Sequence, residues 1–256
     1  MGLPVKLTAM LICRNEAERY ISWVLPALNE FCDEIRAVDD GSVDGTYEIL
    51  REHGAVVQRN DAPRFYEHEG RARNLLLDWA LEGHPSHLLA IDADELIADG
   101  PALREAVEQG RARYGIFNLQ MLEVWRADEQ YLYERVDGKW GNRRCPSLFE
   151  VPARMPRNWR IHDAALACGR EPRPVQKQGI RSREPVVTSI FHLGWSCQAD
   201  REERYQRYVR YDNGAHHDGG HLQSIMFDDS QVRLTPRAWP AGMEPVKAGL
   251  LDRINR

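Results

Sequence analysis

The first half of the chain alternates short apolar runs with segments whose apolar residues recur at helical spacing. "VKLTAMLICR" (5–14) is an apolar run of strand length. In the following "NEAERYISWVLPALNEF" (15–31), Ile21, Val24, Leu25 and Leu28 fall three and four apart, on one face of a helix. Asn15 is placed as its N-cap, and Pro26 is expected to kink or divide it. "EIRAVDD" predicts a second strand, "TYEILREHG" a helix ended by Gly54, and "AVVQRN" a third strand. "GRARNLLLDWALEGHP" (70–85) predicts a helix with a leucine-rich face, and "SHLLAIDADE" (86–95) a fourth strand. "PALREAVEQGRA" predicts a helix with Pro101 near its first turn, and "YGIFNLQMLEVWR" (114–126) a long strand.

This alternation predicts an α/β fold with a mostly parallel, Rossmann-like sheet and helices on both faces. Ligands of such sheets bind outside the carboxyl ends of the strands, which is where Asp39, Asp40, Asp92 and Asp94 fall. From Ala127 onward the pattern changes to turns, arginines and tryptophans. "VVTSIFHLGW" (186–195) reads as a further strand and "ADREERYQRYVRYD" (199–212) as a charged helix with Tyr205, Tyr208 and Tyr211 on roughly one face. No linker separates the halves, so residues 1–126 and 127–256 are expected to be two parts of one domain, the second an elaboration of the first.

Composition narrows this picture without changing it. Hydrophobic residues make up 43% and charged residues 29% of 256 residues, the balance of a globular chain able to bury a large core. There is no run of about 18 apolar residues, so no transmembrane segment is expected. The first twenty residues lack the charged region and cleavage site of a secretory signal. Five cysteines (Cys13, Cys32, Cys145, Cys168 and Cys197) lie far apart with no CxxC pair, which suits reduced thiols and a cytoplasmic location. The net charge of −5 is uneven: residues 133–183 hold twelve Lys or Arg against five Asp or Glu. That stretch reads either as a solvated surface or as a basic face for an anionic ligand.

The chemistry-bearing motifs cluster at the predicted strand ends. In "IDAD", acids two apart on a strand project to one side and form a hard-oxygen site suited to Mg²⁺ or Mn²⁺. "VDDGSVDGT" lies two strands earlier at the same predicted edge, "CRNE" (13–16) ends the first strand, and "GRARN" (70–74) opens a helix with two arginines suited to a diphosphate.

As a set, "LICRNEAERYI", "EIRAVDDGSVDGT", "GRARN", "IDADE", "IHDAAL" and "FHLGW" resemble the family 2 glycosyltransferases, over roughly residues 5 to 212. The resemblance implies a GT-A fold, with residues 1–126 binding a nucleotide sugar and 127–256 forming the acceptor side. It implies a metal-dependent transfer of a sugar from a nucleotide-sugar donor, expected to be UDP-linked, to an acceptor hydroxyl with inversion. Carried over by position, it places Cys13, Asn15 and Glu16 along the nucleotide pocket and Asp40 on the donor base, with Asp39 supporting the loop. Arg73 takes a donor-side position, Asp92 lies near the ribose and the metal, and Asp94 is on the cation, Mn²⁺ or Mg²⁺. His192 is implied as a further metal ligand, and Asp163 as the catalytic base where the family pattern has Glu.

Other features have plainer readings. "HHDGGH" (216–221) reads as a polar loop before a zinc site, since no paired cysteines accompany it. Trp125, Trp140, Trp159 and Trp195 suit either sugar stacking or a core. Arg143 and Arg144 suit either a diphosphate or a surface turn. The basic stretch points to an anionic acceptor, such as a glycolipid, a phosphate-bearing glycan or a hydroxylated nucleic acid base. The alternatives are a sugar nucleotidyltransferase, disfavoured because "CRNEAER" lacks a glycine-rich loop, and a catalytically silent nucleotide-binding domain. Oligomeric state is not legible in the sequence.

Overall fold

The computed structural model describes residues 4–110, 115–141, 143–165, 169–179, 187–211 and 219–255. Along the chain run β1 (Leu7–Cys13), α1 (Ile21–Asn29), β2 (Glu34–Asp39), α2 (Thr46–Glu52), β3 (Val56–Arg59), α3 (Glu69–Leu81), β4 (His87–Ala90), β5 (Glu95–Ile97) and α4 (Gly100–Glu108). They are followed by β6 (Ile116–Ala127), β7 (Tyr131–Arg135), β8 (Arg143–Glu150), α5 (Arg173–Gly179), β9 (Ser189–His192), α6 (Gln198–Tyr211), α7 (Gly219–Ser224), β10 (Leu234–Ala238) and α8 (Glu244–Ile254). The chain divides into two compact units, one of residues 1–120 and 144–189, the other of residues 121–143 and 190–256.

The first unit is built on four parallel strands in the order β3-β2-β1-β4, with β8 antiparallel to β4. β1 is buried at every position, as a central parallel strand must be. The chain winds outward from β1 to β3 and then returns to place β4 on the other side of β1. This makes a switch point at the carboxyl ends of β1 and β4, where a crevice opens in sheets of this kind. α3 supplies Ala72, Leu76, Leu77 and Ala80 to a buried cluster that includes Met10, Ile12, Val38, Leu88, Phe149 and Trp159.

Two expected boundaries shift for local reasons. α1 starts at Ile21 rather than after Asn15, because the N–H groups of Asn15, Glu16 and Ala17 are held by Ser42 Oγ, Thr46 Oγ1 and Asp44 Oδ2. Pro26 stays inside one continuous helix. β4 stops at Ala90, so Asp92 and Asp94 lie in the turn that follows, and strand alternation does not set their directions.

In the second unit, β7 pairs antiparallel with both β6 and β10. Its core is aromatic: Trp140 meets Trp125 and Trp195 edge-on at 5.7 and 4.9 Å, with Tyr205, Tyr208 and Ile225 around them. The Arg135 guanidinium stacks 4.5 Å from both Trp125 and Trp140 and donates to Ser224 O at 2.6 Å. Trp125, Trp140, Trp159 and Trp195 are all buried, so they serve as core and not as sugar platforms. The first three residues of "HHDGGH" lie outside the described residues. Cys13, Cys32, Cys145 and Cys197 are in no disulfide among the described residues, and Cys168 lies outside them.

Leu77 is wholly buried between α3 and the sheet. Leu77→Ala is expected to cost about 2–5 kcal/mol in a urea unfolding series. A loss below about 1 kcal/mol would contradict this packing.

Candidate active site

The carboxyl edge of β1 and β2 is locked by side chains. Asn15 adopts a left-handed φ of 55° and accepts the Val43 N–H through Oδ1 at 3.0 Å. Asp39 Oδ1 accepts the Ser42 N–H at 3.1 Å, and Arg59 Nε lies 3.1 Å from Asp39 Oδ2. Gly41, at φ +73°, passes 3.1 Å from the backbone of Ala62 and Pro63, measured from where a Cβ would stand. The "VDDGSVDGT" turn therefore needs its glycine both for conformation and for close approach.

The two adjacent acids have different duties. Asp40 has no exposed surface; its carboxylate accepts from Asn60 Nδ2 at 2.7 Å, Arg64 N at 2.9 Å and Phe65 N at 2.9 Å. It organises the 60–65 loop, so any part it plays toward a nucleotide base passes through that loop in this conformation. Cys13 is buried below it, and burial together with Glu16, Asp39, Asp44 and Asp40 pushes its thiol well above the ordinary range. A thiol held up in this way is neutral and not a nucleophile. The Glu16 carboxylate lies 3.6 Å from Arg19.

At the β4 edge, Asp92 is flanked by two guanidinium groups, Arg73 Nη1 at 3.3 Å and Arg170 Nη1 at 3.5 Å. Its backbone N–H is held by Glu95 Oε2 at 3.0 Å, and Arg170 also pairs with Glu95. Burial alone would lower Arg170, but Glu95 and Asp92 hold it well above the usual arginine value, so this cation is permanent. Asp94 is buried at the same turn. The Asp92 side chain is about one-third exposed, at 34%, and so stays open to a ligand. Among the described residues no three His, Cys, Asp or Glu side chains form a metal cage. Two carboxylates on one turn do match the habit of Mg²⁺, which completes its shell with water and substrate phosphates.

Asp163 stands on the 161–165 segment, with its side chain 68% exposed. His68 Nε2 lies 3.5 Å and Arg71 Nε 3.9 Å from its Oδ1. α3 thus touches both acidic sites, Asp163 from its first turn and Asp92 through Arg73. Arg73 is itself fixed by Glu69 Oε1 at 2.8 Å and lies over the Phe65 ring at 5.0 Å.

His192 belongs to the second unit. Its Nδ1 lies 2.6 Å from Glu123 Oε2, which also accepts from Trp195 Nε1 at 2.9 Å. Arg143 Nη1 donates to Glu123 Oε1 at 2.6 Å, and Arg204 Nη1 lies 3.3 Å from His192 Nε2. Burial would raise Glu123, but His192 and Arg143 hold it below the ordinary carboxylate value. A guanidinium can only donate, so Nε2 is the acceptor and Nδ1–H points at Glu123.

Sequence reasoning missed Glu123, Glu95, Arg170, His68 and Asn74. An acid inside the apolar "QMLEVW" run was the available signal for Glu123. Arg14, within the 13–16 segment expected along the nucleotide pocket, has its Nε buried without a hydrogen bond among the described residues.

The chain matches no protein-family profile. Uncharacterized proteins of Mycobacterium bovis and Mycobacterium tuberculosis are each 28% identical to it over 220 residues, covering 81% of this chain and 51% of theirs. The chain therefore spans about half the length of the curated relatives it matches. Among solved structures, it is similar to S. aureus TarS 1–349 in complex with UDP-GlcNAc, with a TM-score of 0.48 and 15% identity over 87% of this chain and 70% of that one. It is also similar to glucosyl-3-phosphoglycerate synthase from Mycobacterium tuberculosis in complex with Mn²⁺, UDP and glucosyl-3-phosphoglycerate. There the TM-score is 0.34 and the identity 21%, over 46% of this chain and 44% of that one.

Asp40→Asn sets an amide NH₂ against donors that now meet a carboxylate. It is expected to lower stability by about 2–4 kcal/mol, read as a shifted denaturation midpoint at unchanged slope. An unchanged midpoint would show that the 60–65 loop does not depend on this carboxylate.

Proposed function

We propose that the protein is a glycosyltransferase that moves a sugar from a nucleoside-diphosphate donor, UDP-linked in the first instance, to an acceptor hydroxyl. The observation that carries the reading is that one helix, α3, touches both an acidic turn at the switch point and an exposed carboxylate on a separate segment. A displacement at an anomeric carbon needs such a pair of stations, one for the leaving diphosphate and one for the attacking hydroxyl.

In this reading the diphosphate lies at the Asp92–Asp94 turn, where Arg73 and Arg170 already stand beside Asp92. Asp94 and Asp92 would hold Mn²⁺ or Mg²⁺, which when bound neutralises charge on the departing phosphate. The Asp163 carboxylate takes the acceptor's hydroxyl proton. The acceptor oxygen bonds to the anomeric carbon as the bond to the phosphate oxygen breaks, and the electron pair leaves on the nucleoside diphosphate. One base and one opposite leaving group correspond to inversion. Cys13, Asn15, Glu16 and the Asp40-organised loop form the nucleotide side.

The proposed acceptor is anionic. In the first unit Arg154, Arg157, Arg173 and Lys177 are exposed on residues 151–179, the segment that also presents Asp163.

Incubation with a panel of nucleotide sugars, with and without Mn²⁺, is expected to release free nucleoside diphosphate from at least one donor. No release from any donor and no effect of the metal would overturn the reading. Asp94→Ala is expected to remove the metal-dependent turnover, and turnover that persists would displace Asp94 from the cation.

A further inference from the structure

A helix N-terminus followed by two arginines is a natural place to expect phosphate, because unbonded N–H groups there point outward. In α3 those groups are already used. The Glu69 N–H donates to Ala165 O at 2.8 Å, and the Gly70 N–H to Ala164 O at 2.9 Å. The Arg71 N–H donates to the Nδ1 of the cap residue, His68, at 3.3 Å. Three residues further on, Asn74 holds Ile161 from both sides. Its Oδ1 accepts the Ile161 N–H at 3.1 Å, and its Nδ2 donates to Ile161 O at 3.1 Å and to Gly70 O at 2.7 Å.

The approach is too close for a side chain at position 70. A Cβ there would stand 2.3 Å from His162 O and 2.7 Å from Ala164 N, both backbone atoms. Asp163 therefore sits between two anchors, Ile161 on one side and Ala164–Ala165 on the other. His68 adds a third constraint. Its Nδ1 accepts from a backbone N–H, so in the neutral ring the proton is on Nε2, the atom facing Asp163 Oδ1. The Asp163 side chain is 68% exposed, which leaves it open to a substrate hydroxyl.

We propose that the N-terminal end of α3 is the positioning device for Asp163, with Asn74 and His68 as its positioning residues, and that it is not a phosphate site. The inference rests on the reading of Asp163 as the base. It gives "GRARN" a division of labour: Gly70 and Asn74 serve the acceptor side, and Arg73 the acidic turn.

The test uses the full chain and compares Asn74→Ala, His68→Ala and His68→Gln with wild type. Uridine diphosphate affinity is read by calorimetry, and kcat and KM are read with the donor that turns over. Displacing a catalytic group by an ångström costs on the order of a hundredfold. Asn74→Ala should therefore lose about that much kcat, with nucleotide affinity unchanged. His68→Ala should lose about tenfold, and His68→Gln, whose amide N–H reaches to a similar place, should recover most of it. Lost nucleotide affinity in these variants would make the turn a donor-binding element and overturn the proposal. Unchanged kcat in both alanine variants would overturn it as well. Should Asn74→Ala fail to fold, the His68 pair decides, since that side chain caps the helix at the surface. A wild-type protein that neither binds nor turns over any nucleotide sugar would remove the functional reading itself, and the positioning role with it. Turnover that is intact in wild type and in the variants but absent in Asp163→Asn would sink only the positioning role.

Discussion

The site depends on the absence of a side chain at Gly70. Because the backbone of residues 162–164 runs where a Cβ would project, α3 and the 161–165 segment meet main chain to main chain. Direct backbone hydrogen bonds at 2.8 and 2.9 Å tolerate little slack, so the segment inherits the rigidity of a thirteen-residue helix packed on the central sheet. An exposed carboxylate on an irregular segment would otherwise sample many positions. Here the irregular segment is held at both ends by groups from the first two turns of one helix, and only the Asp163 side chain is left to move.

The same helix carries Arg73 to the opposite station, and there the constraint is charge. Asp92, Asp94 and Glu95 crowd one turn, an arrangement that repulsion would loosen. Arg73 and Arg170 compensate it, and Glu95 is held both by Arg170 and by the Asp92 N–H. The turn therefore has a shape before any ligand arrives. Its guanidinium groups stand beside the acids, so under the proposed function an incoming diphosphate and an incoming cation would each meet a partner of opposite sign. Pre-formed charge of this kind would need no reorganisation as a leaving group departs.

The parallel sheet was legible because apolar runs and helical spacing alternate cleanly up to residue 126, and β1 through β4 follow them. The acids at the strand ends were legible for the same reason. What lay hidden was contact between distant residues. Asn15 has the side chain of a helix cap, but three side chains from the 42–46 loop hold residues 15–17 out of the helix. The pairing of Asn74 with Ile161 spans 87 positions, and no local pattern announces it. The antiparallel strands β7, β8 and β10 were missed because turns and arginines break their alternation. Arg135 looks like a surface charge, yet it is buried against two tryptophans. The "GRARN" signal was seen, but its chemistry was read from its arginines, whereas the glycine and the asparagine make the contacts that fix Asp163.

The most direct measurement of the whole account is a crystal structure of the protein with a nucleotide sugar and Mn²⁺. The account predicts the diphosphate and the cation at the Asp92–Asp94 turn, the sugar's anomeric carbon facing Asp163, and the N–H groups of Glu69 and Gly70 still bonded to Ala165 and Ala164. A nucleotide bound away from that turn, or phosphate oxygens seated on the first turn of α3, would contradict it.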